Sequence, residues 1–494
     1  MCPSESPRDK TYFTGHRAGK KPKATDPLRK AKDEYDVIVI GSGLGGLTAA
    51  NILGRAGHSV CVLEQHYNIG GLATWFKRPG GHIFDISLHG FPVGMKKTCR
   101  KYWSPEIANK IVQLDGVRFN NPQFQFDTTF TREDFTDKLV RVLGCDPVKV
   151  EGFYETLKRM NYYDDDGRTT GQLFEEFFPG RNDVHRLLME PISYANGSSM
   201  DDPAISYGIV FSNFMSKGVY TFVGGTDGLI KDMRACLSAG GVDLFGRTAV
   251  DQIVVENKQV KGVRVGERFI KAGIVISNAN LLSTMGDLVG WEHFDADFAA
   301  EAQGVRLNTS SCQVYLGLRA GETLPWMSDL FFTSTRPTFD SHALCDLHGE
   351  SRTYSFYYPK GRPGSDRFSI VASTNARFED WDGLTAEQYA GNKERLEQDT
   401  LEALSSYLPN IRSQVDHVES GTPLSFQFYT DHPSGTSFGT KFEGLQYSMA
   451  LPEQIEGLYH TGSVGIIMSG WLGAANYGAI CAHKVDTRLA SLLP

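Results

Sequence analysis

The chain has 494 residues, 50 Lys+Arg against 58 Asp+Glu, and a formal charge of −8 at pH 7. With 40% hydrophobic residues, 30 Phe and 20 Tyr, it is long and apolar enough for two or three packed domains, which excludes a mostly disordered chain. The mildly acidic balance argues against nucleic acid as a partner, because phosphate recognition calls for a basic face.

Charge is unevenly spread. Residues 1–32 hold nine basic side chains (Arg8, Lys10, Arg17, Lys20, Lys21, Lys23, Arg29, Lys30 and Lys32) against three acidic ones. Residues 1–34 therefore read as a basic, mobile tail, with attraction to an anionic membrane surface as the functional alternative. No apolar stretch near the start has the length of a secretory signal. The eight cysteines, from Cys2 to Cys481, are scattered with no Cys-x-x-Cys pair, so reduced thiols in a cytoplasmic protein are expected. The thirteen histidines include no His-x-x-x-His pair, and no metal is expected.

The most informative passage starts at Asp36-Val-Ile-Val-Ile40, whose β-branched residues predict a strand buried on both faces. It runs into Gly41-Ser42-Gly43-Leu44-Gly45-Gly46, in which Gly41, Gly43 and Gly46 fit G-x-G-x-x-G. Leu47, Ala50, Leu53 and Ala56 then repeat at helical spacing up to Gly57, and Ser59–Leu63 is a second strand closing on Glu64. Strand, glycine turn, helix, strand and terminal acid together form a dinucleotide-binding unit. The glycines admit a tight turn and a close approach to pyrophosphate, the helix N-terminus faces the phosphates, and Glu64 accepts from ribose hydroxyls. An acid at Glu64 would repel a 2′-phosphate and so disfavours NADP.

NAD and FAD share this fingerprint, and the residues beyond it discriminate. Leu63-Glu-Gln-His-Tyr-Asn-Ile-Gly-Gly-Leu-Ala-Thr-Trp-Phe76, with Phe84-Asp-Ile-Ser-Leu-His89, resembles the phytoene desaturase superfamily, and within it the carotenoid isomerase and retinol saturase branch. Tyr194–Pro203 resembles that family's Asn-Gly element, and Gly218–Leu229 the segment that re-enters the cofactor domain. Gly457-Leu-Tyr-His-Thr-Gly462-Ser463 through Gly473 resembles its closing motif, although Ile467-Met-Ser-Gly470 stands where the family usually carries Pro-Gly-x-Gly. The resemblance implies an FAD stretched across the domain. Gly41, Ser42, Gly43, Leu44, Gly46, Glu64 and Gln65 would hold its nucleotide part, with the backbone near Val250 meeting the adenine. Gly70 and Gly71 would line the chain leading to the flavin, and Gly462, Ser463, Gly470 and Leu472 its ribityl chain and ring.

The expected fold is α/β: a glutathione-reductase-like FAD-binding Rossmann domain with an inserted α+β substrate domain. The cofactor domain would comprise 35–100, 219–285 and 455–494, and the substrate domain 101–218 and 286–454. Leu229, Met233, Cys236 and Leu237 predict a helix, Val242–Leu244 and Ala249–Val255 strands, Asn257-Lys258 a turn, and Val260–Val265 and Gly273–Ser277 further strands. In the substrate part, alternation predicts strands through Cys312–Arg319, Tyr354–Tyr358 and Leu424–Phe428, and Leu396, Thr400, Ala403, Leu404 and Tyr407 mark a helix. The uncharged run Thr461–Ala482 is long enough to span a bilayer but contains five glycines, so it reads as backbone that something large approaches closely. Phe211, Phe214, Tyr220, Phe222, Phe331 and Phe332 are either core or the lining of an apolar tunnel.

The chemistry the resemblance implies is redox change at a lipophilic polyene, foremost desaturation with hydride delivered to flavin N5. Redox-neutral cis–trans isomerisation and polyene or retinol saturation are the alternatives. An amine-oxidase-like enzyme and a flavin-free prenyl-lipid chaperone are more distant ones. Near the flavin, His89 is the candidate proton donor or acceptor, and Asp85 the candidate stabiliser of positive charge; packing and hydrogen bonding are their structural alternatives. With one dinucleotide fingerprint in the chain, electrons leave to oxygen, a quinone or another diffusible acceptor, or never leave. A polyene substrate would bring the protein to a membrane surface as a peripheral, cytoplasmic protein.

Overall fold

The computed structural model describes residues 26–161 and 167–491; most of the basic tail, including Arg8 to Lys23, lies outside the described residues. The chain opens as β1 (Glu34–Ile40), α1 (Leu44–Arg55) and β2 (Val60–Leu63). Val37, Ile38 and Val39 are wholly buried, as a strand covered on both faces requires. A hairpin of β3 (Trp75–Arg78) and β4 (His82–Asp85) follows, then β5 (Phe91–Pro92), α2 (Gly94–Tyr102), β6 (Ile111–Gln113), β7 (Val117–Asn120) and β8 (Gln125–Thr128). A helical stretch includes α3 (Asn182–Asn196) and α4 (Ala204–Met215). β9 (Val219–Phe222) and α5 (Gly225–Ala239) lead to β10 (Asp243–Phe245), β11 (Gln252–Glu256), β12 (Gln259–Val265) and β13 (Arg268–Ser277). Next come β14 (Ser310–Leu318), β15 (Leu330–Ser334), β16 (Ser351–Tyr357), β17 (Ser369–Ala376), α6 (Ala386–Ser405), β18 (Val415–Gly421) and α7 (Pro423–Thr430). β19 (Leu458–His460) and α8 (Gly470–Ala490) end the described chain.

Two seven-stranded sheets organise these elements. The first runs β10-β2-β1-β13-β12-β11, with β19 also on β13. Its β10, β2, β1, β13 and β19 are mutually parallel, while β11 and β12 form an antiparallel extension. Apolar clusters cover both of its faces, one built on α1, α5 and α8, the other on Leu281, Met285 and Leu451. The second sheet, β18-β14-β17-β16-β15-β7-β8, is mixed and mostly antiparallel. One face carries Val314, Leu316, Tyr354, Phe356, Ile370 and Ala372 onto α6. This is a Rossmann-type dinucleotide-binding sheet with an inserted α+β unit, the expected fold class.

One strand expectation is overturned. Leu424, Phe426 and Phe428 lie on α7, a helix. Pro423 takes its first position, and the Ser425 hydroxyl accepts from the Thr422 backbone N–H at 3.1 Å. These starting signals outweigh a short apolar alternation. The segment Ala249–Asp251 precedes β11 as irregular chain. Thr461–Ala482 divides between a loop and α8, and among the described residues no helix is long and apolar enough to cross a membrane.

The turn between β11 and β12 has both central residues in the left-handed region, Asn257 at φ 51° and Lys258 at φ 58°. A two-residue hairpin of this kind favours Asn-Gly. Lys258→Gly should therefore raise stability by about 1 kcal/mol, read as a higher urea midpoint. An unchanged or lower midpoint would show that the exposed Lys258–Asp295 ion pair outweighs the backbone term.

Candidate functional site

At the carboxyl end of β1 the chain turns through Gly41, at φ +90°, into α1, whose first turn has no acidic residue. This leaves the helix N-terminus free to meet anionic groups. Gly43 forms a parallel bridge to Gly70, whose N–H also donates to the Ser42 carbonyl at 3.0 Å. A Cβ on Gly46 would lie 2.4 Å from the Gly41 carbonyl oxygen, so any side chain there would push the helix off the turn. Glu64, at the end of β2, accepts from the Ser42 N–H (2.8 Å) and hydroxyl (2.6 Å) through one oxygen, and from the His66 N–H (2.7 Å) through the other. Its carboxylate thus pins the turn and faces the same space as the helix N-terminus.

That space is one cavity of about 1350 Å³. It runs from Glu64, Gln65 and Val250, past Gly41, Ser42, Gly43, Leu44, Gly70 and Gly71, to Ser463, Gly470 and Leu472. It then continues, without a dividing wall, to Pro191 and Ile192 on α3, Ile209, Val210 and Phe214 on α4, Phe130, and Leu330 and Phe332 on β15. Of the residues expected to hold a dinucleotide, all line it except Gly46 and Gly462. Those two stand behind the wall: a Cβ on Gly462 would sit 2.1 Å from the Ala279 carbonyl oxygen. A Cβ on Gly71 would approach the Gly43 Cα to 2.9 Å. The helix terminus, the acid and the bare glycine backbone form a cradle that fits an extended dinucleotide. Of the aromatics, Phe214 and Phe332 line the tunnel, whereas Phe211, Phe222 and Phe331 are packed into apolar cores and Tyr220 packs against one.

His89 faces the cavity beside Trp471 and Ser87. Its Nδ1 is 2.8 Å from the Ser355 hydroxyl, and its Nε2 is 3.4 Å from both Gln313 Nε2 and Ser373 Oγ. Burial in protein pushes its pKa down to about 4, so the ring is neutral near pH 7. Asp85 is placed elsewhere. It is not in the cavity wall, and its carboxylate is consumed on both sides: one oxygen accepts from the Thr226 N–H (2.7 Å) and hydroxyl, the other from Arg362 (2.6 Å), which also pairs with Asp227. It braces β4 against the start of α5 and the 359–362 turn, and the structure does not present it to the cavity.

Several site residues carried no motif. Asn278, immediately after β13, accepts from the Gly46 N–H at 2.5 Å, and its amide lies where a Gly43 Cβ would be. Its position at the carboxyl end of a central parallel strand was the available signal. Gln313, Ser355 and Ser373 are the polar members of alternating strands and come together only through sheet pairing.

Removing the Glu64 carboxylate should release the turn that shapes the cradle. Glu64→Ala is expected to lower dinucleotide affinity at least about tenfold. Gly43→Val should abolish binding in a protein that still folds, with retention measured by chromatography of the nucleotide released on denaturation. Full retention in Gly43→Val would place the dinucleotide elsewhere.

Residues 39–103 match the family of NAD(P)-binding Rossmann-like domains. Over nearly the whole chain the sequence is similar to a chloroplastic prolycopene isomerase of Daucus carota, at 24% identity over 92% of this chain and 80% of the isomerase. It is similar to a human all-trans-retinol 13,14-reductase at 23% identity, over 92% of this chain and 86% of the reductase. In fold it matches the crystal structure of an oxidoreductase from Methanosarcina mazei, with a TM-score of 0.64 and 19% identity over 92% and 99% of the two chains. A cyclohexylamine oxidase from Brevibacterium oxydans gives 0.63 and 13% over the same shares. The cradle, the continuous cavity and these likenesses agree on a Rossmann-type dinucleotide-binding chain that is similar over nearly its whole length to a prolycopene isomerase and to a retinol 13,14-reductase.

Proposed function

We propose that this chain binds FAD and acts on a carbon–carbon double bond of a lipophilic polyene. The observation that carries the proposal is the single cavity, which joins a dinucleotide cradle to an apolar stretch lined by Ile192, Val210, Phe214 and Phe332. At about 1350 Å³ it exceeds what a single small ligand needs. Isomerisation or saturation is the first reading of the reaction, because the relatives aligned over nine-tenths of the chain are named for those two reactions. Desaturation, which the sequence motifs suggested, uses the same machinery and is the second reading. The segments 35–100, 219–285 and 455–494 would form the cofactor domain, and 101–218 and 286–454 the substrate domain.

When bound, FAD supplies a reversible two-electron carrier, which both adding hydrogen to a double bond and removing it require. The chain's own residues do the positioning. Glu64, Ser42 and Gly43 hold the nucleotide end, while Ser463, Gly470 and Leu472 bound the far end. Phe332, Phe214 and Ile192 exclude water from the apolar tunnel and keep the substrate extended. His89 is neutral, so it works as a hydrogen-bond partner at Nε2 and can pass a proton there without carrying charge in the resting state. Lys97, Arg100 and Lys101 on α2 are exposed in a helix without acidic residues, and Ile480 at the cavity rim is also exposed; these features support contact with an anionic membrane surface from which a polyene is drawn. Net saturation takes its electrons from a diffusible donor, and net desaturation gives them to a quinone or oxygen.

Anaerobic incubation of the flavin-loaded protein with a panel of acyclic carotenoids and retinoids tests the reading. A changed isomer without net bleaching identifies an isomerase. Chromophore shortening that consumes reduced flavin identifies a saturase, and bleaching with chromophore lengthening a desaturase. No change in any polyene, with flavin reduced instead by amines, would refute the proposal. Because His89 takes up a proton only as pH falls toward 4, the initial rate should be flat from about pH 8 to pH 5 and decline below that. A midpoint near 6.5 that disappears in His89→Leu would show a ring exposed to solvent and titrating normally.

A further inference from the structure

The floor of the cavity is divided by chemistry, and the division follows sheet register. Gln313 on β14 pairs with Ser373 on β17, which pairs with Thr353 on β16, which pairs with Phe332 on β15. One row along, Tyr315 pairs with Val371, Val371 with Ser355 and Ser355 with Leu330. The three strands nearest β18 thus present amide and hydroxyl groups, and the next strand presents only Leu330 and Phe332. All of these residues except Val371 and Ser355 border the same cavity, and Ser355 is bound to His89, which does. The apolar half continues into Pro191, Ile192, Val210 and Phe214.

A purely hydrocarbon ligand lying over the polar half would strip water from these groups and return nothing. Their internal bonds do not use their capacity. Gln313 Oε1 accepts from the Tyr315 hydroxyl at 2.5 Å. Gln313 Nε2 and Ser373 Oγ both reach toward His89 Nε2, each at 3.4 Å. One ring nitrogen serves one partner well, and both distances lie beyond the usual range for a good hydrogen bond. At least one of the two is therefore available to a ligand atom beside His89.

Resting on the polyene reading above, we propose that Gln313 and Ser373 form a recognition site for an oxygen-bearing group, a hydroxyl or carbonyl, and that this chain takes an oxygenated polyene. The oxygen sits over the β14–β17–β16 floor next to His89. The hydrocarbon part runs over Phe332 toward α4. Gln313 donates to the oxygen through Nε2, and Ser373 can donate or accept, so alcohols and ketones both fit.

Trp75 and Trp471 line the cavity and report occupancy by fluorescence quenching, a readout independent of turnover. The flavin-loaded protein would be titrated with two polyenes of equal length and conjugation, one ending in a hydroxyl and the other its hydrocarbon counterpart. The alcohol is expected to bind at least about tenfold more tightly, since a site built to hydrogen-bond a hydroxyl rejects the analogue without it. Ser373→Ala should narrow the gap, and Gln313→Leu combined with Ser373→Ala should close it by weakening the alcohol alone. Retained flavin serves as the check that each variant is folded, and Ser373→Ala, the milder change, stands as the test if the double variant loses it. Equal affinities in the unaltered protein would overturn the proposal, as would a gap that survives both variants. Binding of neither compound by the flavin-loaded protein would overturn the polyene reading itself.

Discussion

Everything at the site depends on how closely four stretches of backbone approach one another at the carboxyl ends of the central parallel strands. The turn after β1, the segment at Gly70-Gly71, the residue after β13 and the chain after β19 all meet there: Glu64 and Asn278 hold the turn, the Gly70 N–H donates to the Ser42 carbonyl, and the Thr461 N–H donates to the Ser277 carbonyl. The spacing is possible because side chains are missing where they would collide. A Cβ on Gly45 would lie 2.4 Å from the Thr461 carbonyl oxygen, and one on Gly478 of α8 would lie 2.2 Å from the Gly45 carbonyl oxygen. The last of the described helices, α8, is thus seated directly on α1. This explains why an uncharged, glycine-rich stretch near the C-terminus serves packing against another backbone and why its composition fails as a membrane span.

The second sheet solves a different problem. Its outer face is ordinary core against α6, whereas its inner face must be the floor of a cavity and still remain folded when water leaves. Polar side chains on that face satisfy one another in part, as with Tyr315 and Gln313, and apolar ones take over where α3 and α4 close the roof. Register does the sorting: because side chains alternate along each strand, Cys312, Val314 and Leu316 go to the core and Ser311, Gln313 and Tyr315 to the cavity. A slip of one residue in β14 would exchange these sets, so burial alone strongly specifies the pairing with β17 and β18.

Legibility in the sequence tracked how local each interaction is. The β1–α1–β2 unit was readable because strand, turn, helix and acid fall within about 30 residues and each has its own chemical requirement. The hairpin at Asn257-Lys258, the helix after Gly224 and the strand at β14 were readable for the same reason. Asn278 and Gln313 were not, because their roles come from partners 232 and 224 residues away in sequence. At Leu424–Phe428 two local signals competed, and the apolar alternation was the weaker; Thr422-Pro423 was the better guide to what the backbone does there.

Asp85 shows most clearly why proximity to a motif is a poor guide to role. It lies four residues before His89, yet of the two only His89 lines the cavity. His89 reaches the cavity, while Asp85 turns to the N-terminus of α5, where the Thr226 N–H donates to it and Arg362 closes the arrangement from the inserted unit. A carboxylate at a helix N-terminus is stabilised by the unpaired N–H groups there, and an arginine shared between Asp85 and Asp227 adds a charge-assisted link. The same pair of contacts joins the first sheet's helix to a turn of the second unit, and Asp85 itself lies only four residues from the histidine that faces the cavity. Fixing Asp85 therefore anchors the end of β4, four residues before His89, and it does so with a side chain that lies outside the cavity wall.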